Sequence, residues 1–106
     1  MTDAQQLGFR ALSDPTRRRI LQLLAREDLT IAEVAENFQM TRAAVKKHLA
    51  ILNEGHLIKV ETVGRTRRNS LDPDGLRRVY DWFGFFDQFW DDRLNALKSE
   101  IEKDVQ

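Results

Sequence analysis

Hydrophobic residues recur at helical spacing in the middle of the chain, between Thr41 and Gly55. Val45, Leu49 and Leu52 stand at positions i, i+4 and i+7, so they fall on one face of a helix. The hydroxyl of Thr41 suits the N-cap, and Gly55 suits the position after a helix, where the backbone turns left-handed. The pattern predicts one amphipathic helix over 41–54.

Three shorter segments before this helix have the same periodicity. They predict helices at Gln5–Leu12, Pro15–Arg26 and Ile31–Phe38. An Asp-Pro pair opens the second of these in the usual N-cap and first-turn positions. Thr30 and Glu33 match a capping box that opens the third. Because a short connection joins the third helix to the central one, the two form a predicted helix-turn-helix whose second member is the recognition helix.

Two strands are predicted after the central helix, at Leu57–Val63 and Thr66–Leu71, because apolar and polar residues alternate there. Gly64 and Arg65 fit a two-residue turn of the type that needs glycine first. The segment is therefore a predicted β-hairpin. A basic hairpin directly after a recognition helix is typical of a wing, whose tip can reach backbone phosphate or a minor groove.

Apolar residues continue at spacings of three and four to the end of the chain. Asp72 and Pro73 repeat the start signal of a helix, which we predict over 73–102. At 1.5 Å per residue it would be ~45 Å long, whereas a compact domain of this size has a radius of gyration of ~13 Å. The helix is expected to extend beyond its own domain. Gly84 within it fits either a bend or the close approach of another helix.

The apolar stripe of this helix needs a partner, and the simplest one is the same stripe in a second copy, joined by the first helix over 5–13. The residues predicted at this homodimer interface are Leu7, Phe9, Val79, Trp82, Phe83, Phe86, Phe89, Trp90, Leu94, Leu97 and Ile101. A pocket lined by Trp82, Phe86 and Trp90 could instead admit an apolar ligand, although such stripes are more often packed core. Whether a small-molecule effector exists stays open.

Charge is distributed unevenly along a chain whose formal net charge is zero. With 42% hydrophobic and 32% charged residues, the 106-residue chain has the composition of one globular domain. Cations predominate in 41–68, and acidic residues predominate from 72 onward, which indicates an anionic partner for the middle of the chain. Arg17, Arg18 and Arg19 stand in the first turn of the second helix. For at least one of them we expect a solvated face with ion-pair partners, with phosphate binding as the alternative.

Several classes of site and location are excluded by what the sequence lacks. There is no cysteine, which excludes disulfides and thiolate metal sites. Because the sequence contains neither a targeting segment nor a membrane span, we expect a cytoplasmic protein with no membrane partner.

The outward face of the central helix is basic, with small residues between the cations. Long cations reach phosphates and base edges, and alanines let a helix sit close to the floor of a groove. We therefore predict contact with double-stranded DNA through Thr41, Arg42, Ala43, Lys46, Lys47 and His48, and through Arg65, Arg67 and Arg68 at or near the hairpin tip. The alternatives are a solvated helix face, an edge hairpin protected by its charge, and a packing role for His48.

Three stretches of this sequence resemble the ArsR/SmtB family of winged-helix repressors. They are ALSDPTRRRILQLL at Ala11–Leu24, TIAEVAENFQMTRAAVKKHLAILNEGHLI at Thr30–Ile58 and VGRTRRNSLDP at Val63–Pro73. The resemblance implies a mainly α (α+β) winged helix-turn-helix: four helices, a β-hairpin wing and a long C-terminal helix. All of 1–106 would form one DNA-binding domain, with the recognition helix at about 41–54, the wing at about 57–71, and dimerisation helices at about 5–13 and 73–102.

The metal-binding residues of that family are missing from this chain. Thr30 and Ala32 stand where the family's metal sensors carry cysteines, and no histidine follows His56. The chain is therefore similar to a cysteine-free, metal-independent branch. The resemblance implies a homodimeric repressor that binds a pseudo-palindromic operator. Lys46 occupies a position that is usually small and polar in the family.

Enzyme function has little support in the sequence. Asp87, Asp91 and Asp92 cluster, but on the polar side of the C-terminal helix, where a solvated face is expected rather than acid–base chemistry. We predict no catalytic residue, no metal ligand and no cofactor.

The leading function is a sequence-specific DNA-binding transcriptional regulator. The alternative is a protein-interaction module that uses the aromatic C-terminal helix and keeps the winged helix as a scaffold.

Overall fold

Helices dominate the computed structural model, which describes residues 1–105, and a small antiparallel sheet lies among them. The helices are α1 (Asp3–Leu12), α2 (Pro15–Leu24), α3 (Ile31–Phe38), α4 (Arg42–Glu54), α5 (Pro73–Phe83) and α6 (Asp87–Val105). The strands are β1 (Leu29–Thr30), β2 (Ile58–Val63) and β3 (Thr66–Leu71), and a 3₁₀ turn covers Gly84–Phe86. This is the predicted winged helix-turn-helix.

Side-chain caps determine where the first and third helices begin. Thr2 and Gln5 form a capping box, so α1 starts two residues earlier than predicted. Thr30 and Glu33 form the predicted box at α3, where the Thr30 backbone N–H donates to Glu33 Oε1 at 3.0 Å. That hydrogen bond lowers the pKa of the Glu33 carboxyl.

The side chains of the three arginines in α2 make contacts within the same chain. Arg17 Nε donates to the carbonyl of Ala11 at 2.8 Å, and Arg18 Nη1 donates to the carbonyl of Leu12 at 2.7 Å. These carbonyls have no partner within α1, and cations are favourable at a helix C-terminus. Arg19 lies over the ring of Phe38, 5.2 Å from its centroid. Their partners are thus carbonyls and an aromatic ring, whereas ion pairs were expected.

The core lies between the sheet and the five helices α1 to α5. It includes Val45, Leu49 and Leu52, the apolar stripe predicted for α4, which are at most 5% exposed. The full set of buried hydrophobic residues is Ala11, Ile20, Leu21, Leu24, Leu29, Val34, Ala35, Val45, Leu49, Leu52, Leu57, Ile58 and Val79.

The end of α4 differs from the prediction. Gly55 has φ −77° and ψ 0°, so it is not left-handed. His56 takes the left-handed conformation instead, with φ 58°. Gly55 lies against α1, where a Cβ would stand 2.9 Å from the Leu7 carbonyl oxygen and 3.3 Å from Gly8 Cα. Glycine is therefore needed at position 55 so that α1 and α4 can approach closely, and the left-handed turn is made by the next residue, His56.

The sheet has the strand order β1-β3-β2, and both pairings are antiparallel. Val63 and Thr66 close the predicted hairpin, and Gly64 in its turn has φ 62°. The short strand β1 was not predicted, because two residues are too few to show alternation. Asn69 of β3 is buried and donates from Nδ2 to the carbonyl of Leu29 at 3.2 Å, which joins β1 to the wing.

The C-terminal segment is helical as predicted, but it is interrupted at Gly84. The 3₁₀ turn Gly84–Phe86 separates α5 from α6 because glycine weakens the interior of an α-helix. From Asp87 to Lys103 every side chain of α6 is exposed, and the radius of gyration of 19.0 Å exceeds the ~13 Å of a compact domain this size. The helix extends beyond the rest of the chain, as expected.

Candidate nucleic-acid interface

The outer face of α4 presents cations and small side chains together. Arg42, Ala43, Lys46 and Lys47 are all exposed. Thr41 is exposed as well, and its Oγ1 accepts a hydrogen bond from the Ala44 backbone N–H at 3.1 Å. Because the opposite face of α4 is fixed in the core, the basic face is held outward on a rigid element.

The turn between α3 and α4 sets the angle of the helix pair. Gln39 has φ 53°, a left-handed conformation that a non-glycine residue adopts only in a tight turn. The Met40 backbone N–H donates to the Ala35 carbonyl at 3.2 Å, which ends α3 before α4 begins. The hydrophobic pattern placed the turn correctly, but it carried no sign that Gln39 would be left-handed.

His48 points away from the exposed basic face. Its ring is partly buried, and Nδ1 lies 3.9 Å from Oδ2 of Asp14, the N-cap residue of α2. The Arg17 backbone N–H donates to the same carboxyl oxygen and lowers the pKa of Asp14. Of the two uses predicted for His48, the geometry favours packing between α4 and the start of α2.

A groove of 340 Å³ separates α4 from the wing. Its lining residues are Ile31, Lys46, Leu49, Ala50, Asn53, Val60, Arg67 and Asn69. Lys46, Ala50 and Asn53 come from one face of α4, and none of the described residues that line the groove is acidic. Asn53 was missed at the sequence level, although it stands seven residues after Lys46 and so lies on the same helix face.

The three wing arginines occupy different places. Arg65 lies in the turn and is exposed, as predicted for the tip. Arg67 pairs in register with Thr62 and lines the groove beside α4. Arg68 is its neighbour on the strand, but its Nη2 donates to the carbonyl of Asp28 at 3.3 Å. The cations predicted together at the tip are thus divided between the turn and the two faces of the sheet.

Together the α4 face and the wing form a basic surface that suits a polyanion. Cations of α4 are available for phosphate oxygens or base edges, and the groove adds amide groups from Asn53. The major groove of B-DNA admits an α-helix, and a hairpin beside that helix is suited to the adjacent backbone. We call this surface the basic surface. It is made by the groove lining, Arg65 and the exposed residues of α4 and its cap, which are Thr41, Arg42, Ala43, Lys46 and Lys47.

Aromatic side chains form a second surface at the opposite end of the chain. Phe9 of α1 packs edge-to-face on Trp82 and Phe83 of α5, with ring centroids 5.5 and 5.9 Å apart. A groove of 760 Å³ follows, lined by Trp82, Phe83, Phe86, Phe89, Trp90 and Arg93. Beyond it Leu94, Leu97 and Ile101 are each more than half exposed.

One residue that we predicted in the apolar stripe of the C-terminal helix lies in the core instead. Val79 is 5% exposed and packs against Gly8, so it belongs to the core of the chain itself. The stripe therefore begins at Trp82.

The acidic residues that cluster at the start of α6 face solvent. Asp87, Asp91 and Asp92 are exposed, and among the side chains that the structure describes, those of residues 1–103, no group of three histidine, cysteine or acidic residues is placed to hold a metal ion. In the same part of the chain, every helix is too short or too polar to cross a membrane.

Comparison with known proteins gives one consistent result. The family described as "Bacterial regulatory protein, arsR family" matches residues 14–60. The chain is 36% identical over 74 residues to the transcriptional repressor SdpR of Bacillus subtilis, which covers 70% of this chain and 82% of that protein. It is 32% identical over 97 residues to the HTH-type transcriptional regulator Rv2034 of Mycobacterium tuberculosis, covering 92% of this chain and 88% of the other.

Solved structures agree with this result. An ArsR-like transcriptional regulator from Rhodococcus sp. RHA1 superposes with a TM-score of 0.73 at 32% identity, over 91% of each chain.

Proposed function

Since the chain belongs to the ArsR family and is a DNA-binding transcriptional regulator, not an enzyme, we propose that it is a homodimeric repressor of a pseudo-palindromic operator. The observation that carries this proposal is the basic surface, where Lys46 of α4 and Arg67 of the wing line one groove and further cations of α4 are exposed. Because its proposed target is DNA, we also propose that the protein is located in the cytoplasm.

In the proposed complex α4 enters a major groove and the wing follows the adjacent backbone. Arg42 and Lys46 reach base edges, whereas Lys47, Arg65 and Arg67 neutralise phosphates. Thr41 and Ala43, at the N-terminal end of α4, allow the helix to approach the groove closely. His48 supports α4 from the side that faces α2.

The proposed dimer joins the aromatic surfaces of two copies. Its interface consists of the predicted residues without Val79: Leu7, Phe9, Trp82, Phe83, Phe86, Phe89, Trp90, Leu94, Leu97 and Ile101. An exposed apolar stripe as long as α6 is costly in water, and a two-fold pairing covers both copies at once. Two-fold symmetry would place the recognition helices in successive major grooves, ~34 Å or a multiple of it apart.

A footprint of the protein on DNA from upstream of its own gene, beside random DNA, tests the proposal. We expect a protected region with two-fold symmetry and much weaker binding to random DNA. If the dimer makes ~6–8 phosphate contacts, the logarithm of the affinity should fall with the logarithm of salt concentration by about 0.9 per contact. Transcription from the protected promoter in vitro should decrease when the protein is added.

Weak binding that is equal on both DNAs would contradict operator recognition. It would favour the alternative, an interaction module in which the aromatic surface binds a different protein.

A further inference from the structure

Two neighbouring arginines of β3 lie on opposite faces of the sheet. Successive residues of a strand alternate between faces, and the register confirms the alternation here. Arg67 stands opposite Thr62 and lines the groove with Lys46 of α4. Arg68 stands opposite Glu61 on one side and Thr30 on the other, on the face turned away from that groove. The two cations therefore have different neighbours.

Arg68 is surrounded by groups that bind it to the protein. Its Nη2 donates to the carbonyl of Asp28, just before β1. Its cross-strand neighbour Glu61 is acidic. The positive charge of Arg68 also contributes to the lowered pKa of Glu33, although the Thr30 hydrogen bonds contribute more. The negative charges of these two carboxylates weaken the attraction of a phosphate to the Arg68 guanidinium.

Arg67 has the opposite surroundings. Lys46 lies across the groove, and the other polar residues of the lining are the amides Asn53 and Asn69. A phosphate entering the groove meets two cations from separate elements and no lining carboxylate. Its charge is complementary to the groove, and the neighbouring amides can add hydrogen bonds.

We propose that Arg68 is a positioning residue that fastens the wing to the start of the helix-turn-helix, and that Arg67 is the member of the pair that contacts the DNA backbone. This inference rests on the proposed function for its DNA contact. The Asp28 carbonyl lies two residues before Thr30, which caps α3. This contact adds to the β1–β3 pairing and to the Asn69 hydrogen bond, and through it Arg68 helps to fix the wing relative to α3, which is packed on α4.

The positioning role is tested without DNA by amide hydrogen exchange of the full chain. We expect Arg68→Ala to accelerate exchange of wing amides in β2 and β3 several-fold while the amides of α2 and α4 keep their wild-type rates. Arg67→Ala is the matched control, because it removes the same side chain from the next position, and it should leave wing exchange unchanged. Equal wing exchange in the two variants would overturn the positioning role.

The DNA contact is tested by the salt dependence of binding to a short fluorescent duplex of random sequence. Arg67→Ala should reduce the salt slope by about 1.8 per dimer, since each protomer loses one phosphate contact worth about 0.9. Arg68→Ala should keep the wild-type slope. Its affinity should fall by roughly 2- to 10-fold at every salt concentration, because a loosened wing must be ordered on binding.

The outcomes separate the two proposals. A slope reduction in Arg68→Ala equal to that in Arg67→Ala would make Arg68 a phosphate contact and overturn the inference. An unchanged slope in Arg67→Ala would overturn the assignment of Arg67. If the wild-type protein bound DNA without salt dependence, the proposed function itself would fail, and the exchange experiment would still decide the role of Arg68.

Discussion

Gly75 of α5 lies directly against the backbone carbonyl of His56, so a methyl group at Gly75 would overlap that oxygen. His56 is the left-handed residue that ends α4, and Leu57 after it is fully buried. The contact therefore joins the end of the recognition helix to the start of the C-terminal helices. Because the obstacle is backbone, it cannot move aside as a flexible side chain can.

Gly75→Ala should destabilise the protein. Alanine is the better helix former by about 1 kcal/mol, but overpacking against backbone costs up to about 3 kcal/mol. We expect a net loss of about 2 kcal/mol in the free energy of unfolding, measured by urea denaturation. A stability equal to wild type would show that α5 can shift from the His56 carbonyl without cost.

Gly84→Ala should have the opposite effect. Gly84 is exposed with φ −57°, and the nearest atom to an added Cβ is Asp87 Oδ2 at 3.8 Å. Alanine should gain about 0.5–1 kcal/mol and favour one continuous helix from α5 into α6. Urea denaturation and far-ultraviolet circular dichroism should show higher stability and more helix. A decrease in both would mean that the 3₁₀ turn is needed by the assembled protein.

Local signals in the sequence were sufficient to predict the helix-turn-helix and the wing. Thr30, Thr41 and Asp72 cap helices where the sequence places them, because capping depends only on a few consecutive residues. The position of the basic face also followed from periodicity, since the Val45 stripe must face the core.

Features decided by distant parts of the chain could not be predicted in this way. The left-handed residue after α4 is His56 because α1 packs on Gly55. Arg67 and Arg68 alternate across β3 as any strand requires, but the neighbours of Arg68 at Thr30 and Asp28 depend on β1, a strand of two residues that leaves no periodic pattern. Val79 is buried because Gly8 approaches it, which no count of helical spacing reveals.

Acid should destabilise the protein through Asp14 and Glu33, two capping carboxylates whose pKa values are lowered in the folded state. Asp14 and Glu33 have ordinary pKa values of 3.8 and 4.5, and backbone hydrogen bonds lower both pKa values in the folded state. The contribution of such groups is complete above the unfolded pKa and is lost as pH falls through the folded pKa. Stability should therefore decline as pH drops below about 4.5.

Glu33→Gln tests this dependence on acid. The variant should be less stable than wild type at neutral pH, and the difference should shrink toward zero at low pH, as followed by urea denaturation at each pH. Glu36→Gln, an exposed change on the same helix, serves as the control. If the difference in stability between wild type and Glu33→Gln stayed constant with pH, the Glu33 carboxylate would not be its cause.

Arg42→Ala should reduce sequence discrimination. Arg42 is exposed in the first turn of α4, where recognition helices contact base edges. If it pairs with guanine, its loss costs ~1–3 kcal/mol on the operator and much less on random DNA. Lys47→Ala, the control for a phosphate contact, should weaken binding to both DNAs alike. Uniform weakening by Arg42→Ala in parallel titrations would assign Arg42 to phosphate as well.

Leu94→Glu should break the proposed dimer. Leu94 is 62% exposed on the stripe of α6, and a charge there would be buried against a second copy without a partner. Asn95→Glu adds the same charge at the next position, which is exposed and turned about 100° around the helix. Analytical ultracentrifugation should show a monomer for Leu94→Glu and a dimer for both Asn95→Glu and wild type.

Since the operator is read by two recognition helices at a fixed spacing, the monomer should also lose the symmetric footprint while keeping weak binding to random DNA. A dimeric Leu94→Glu would place the interface away from α6.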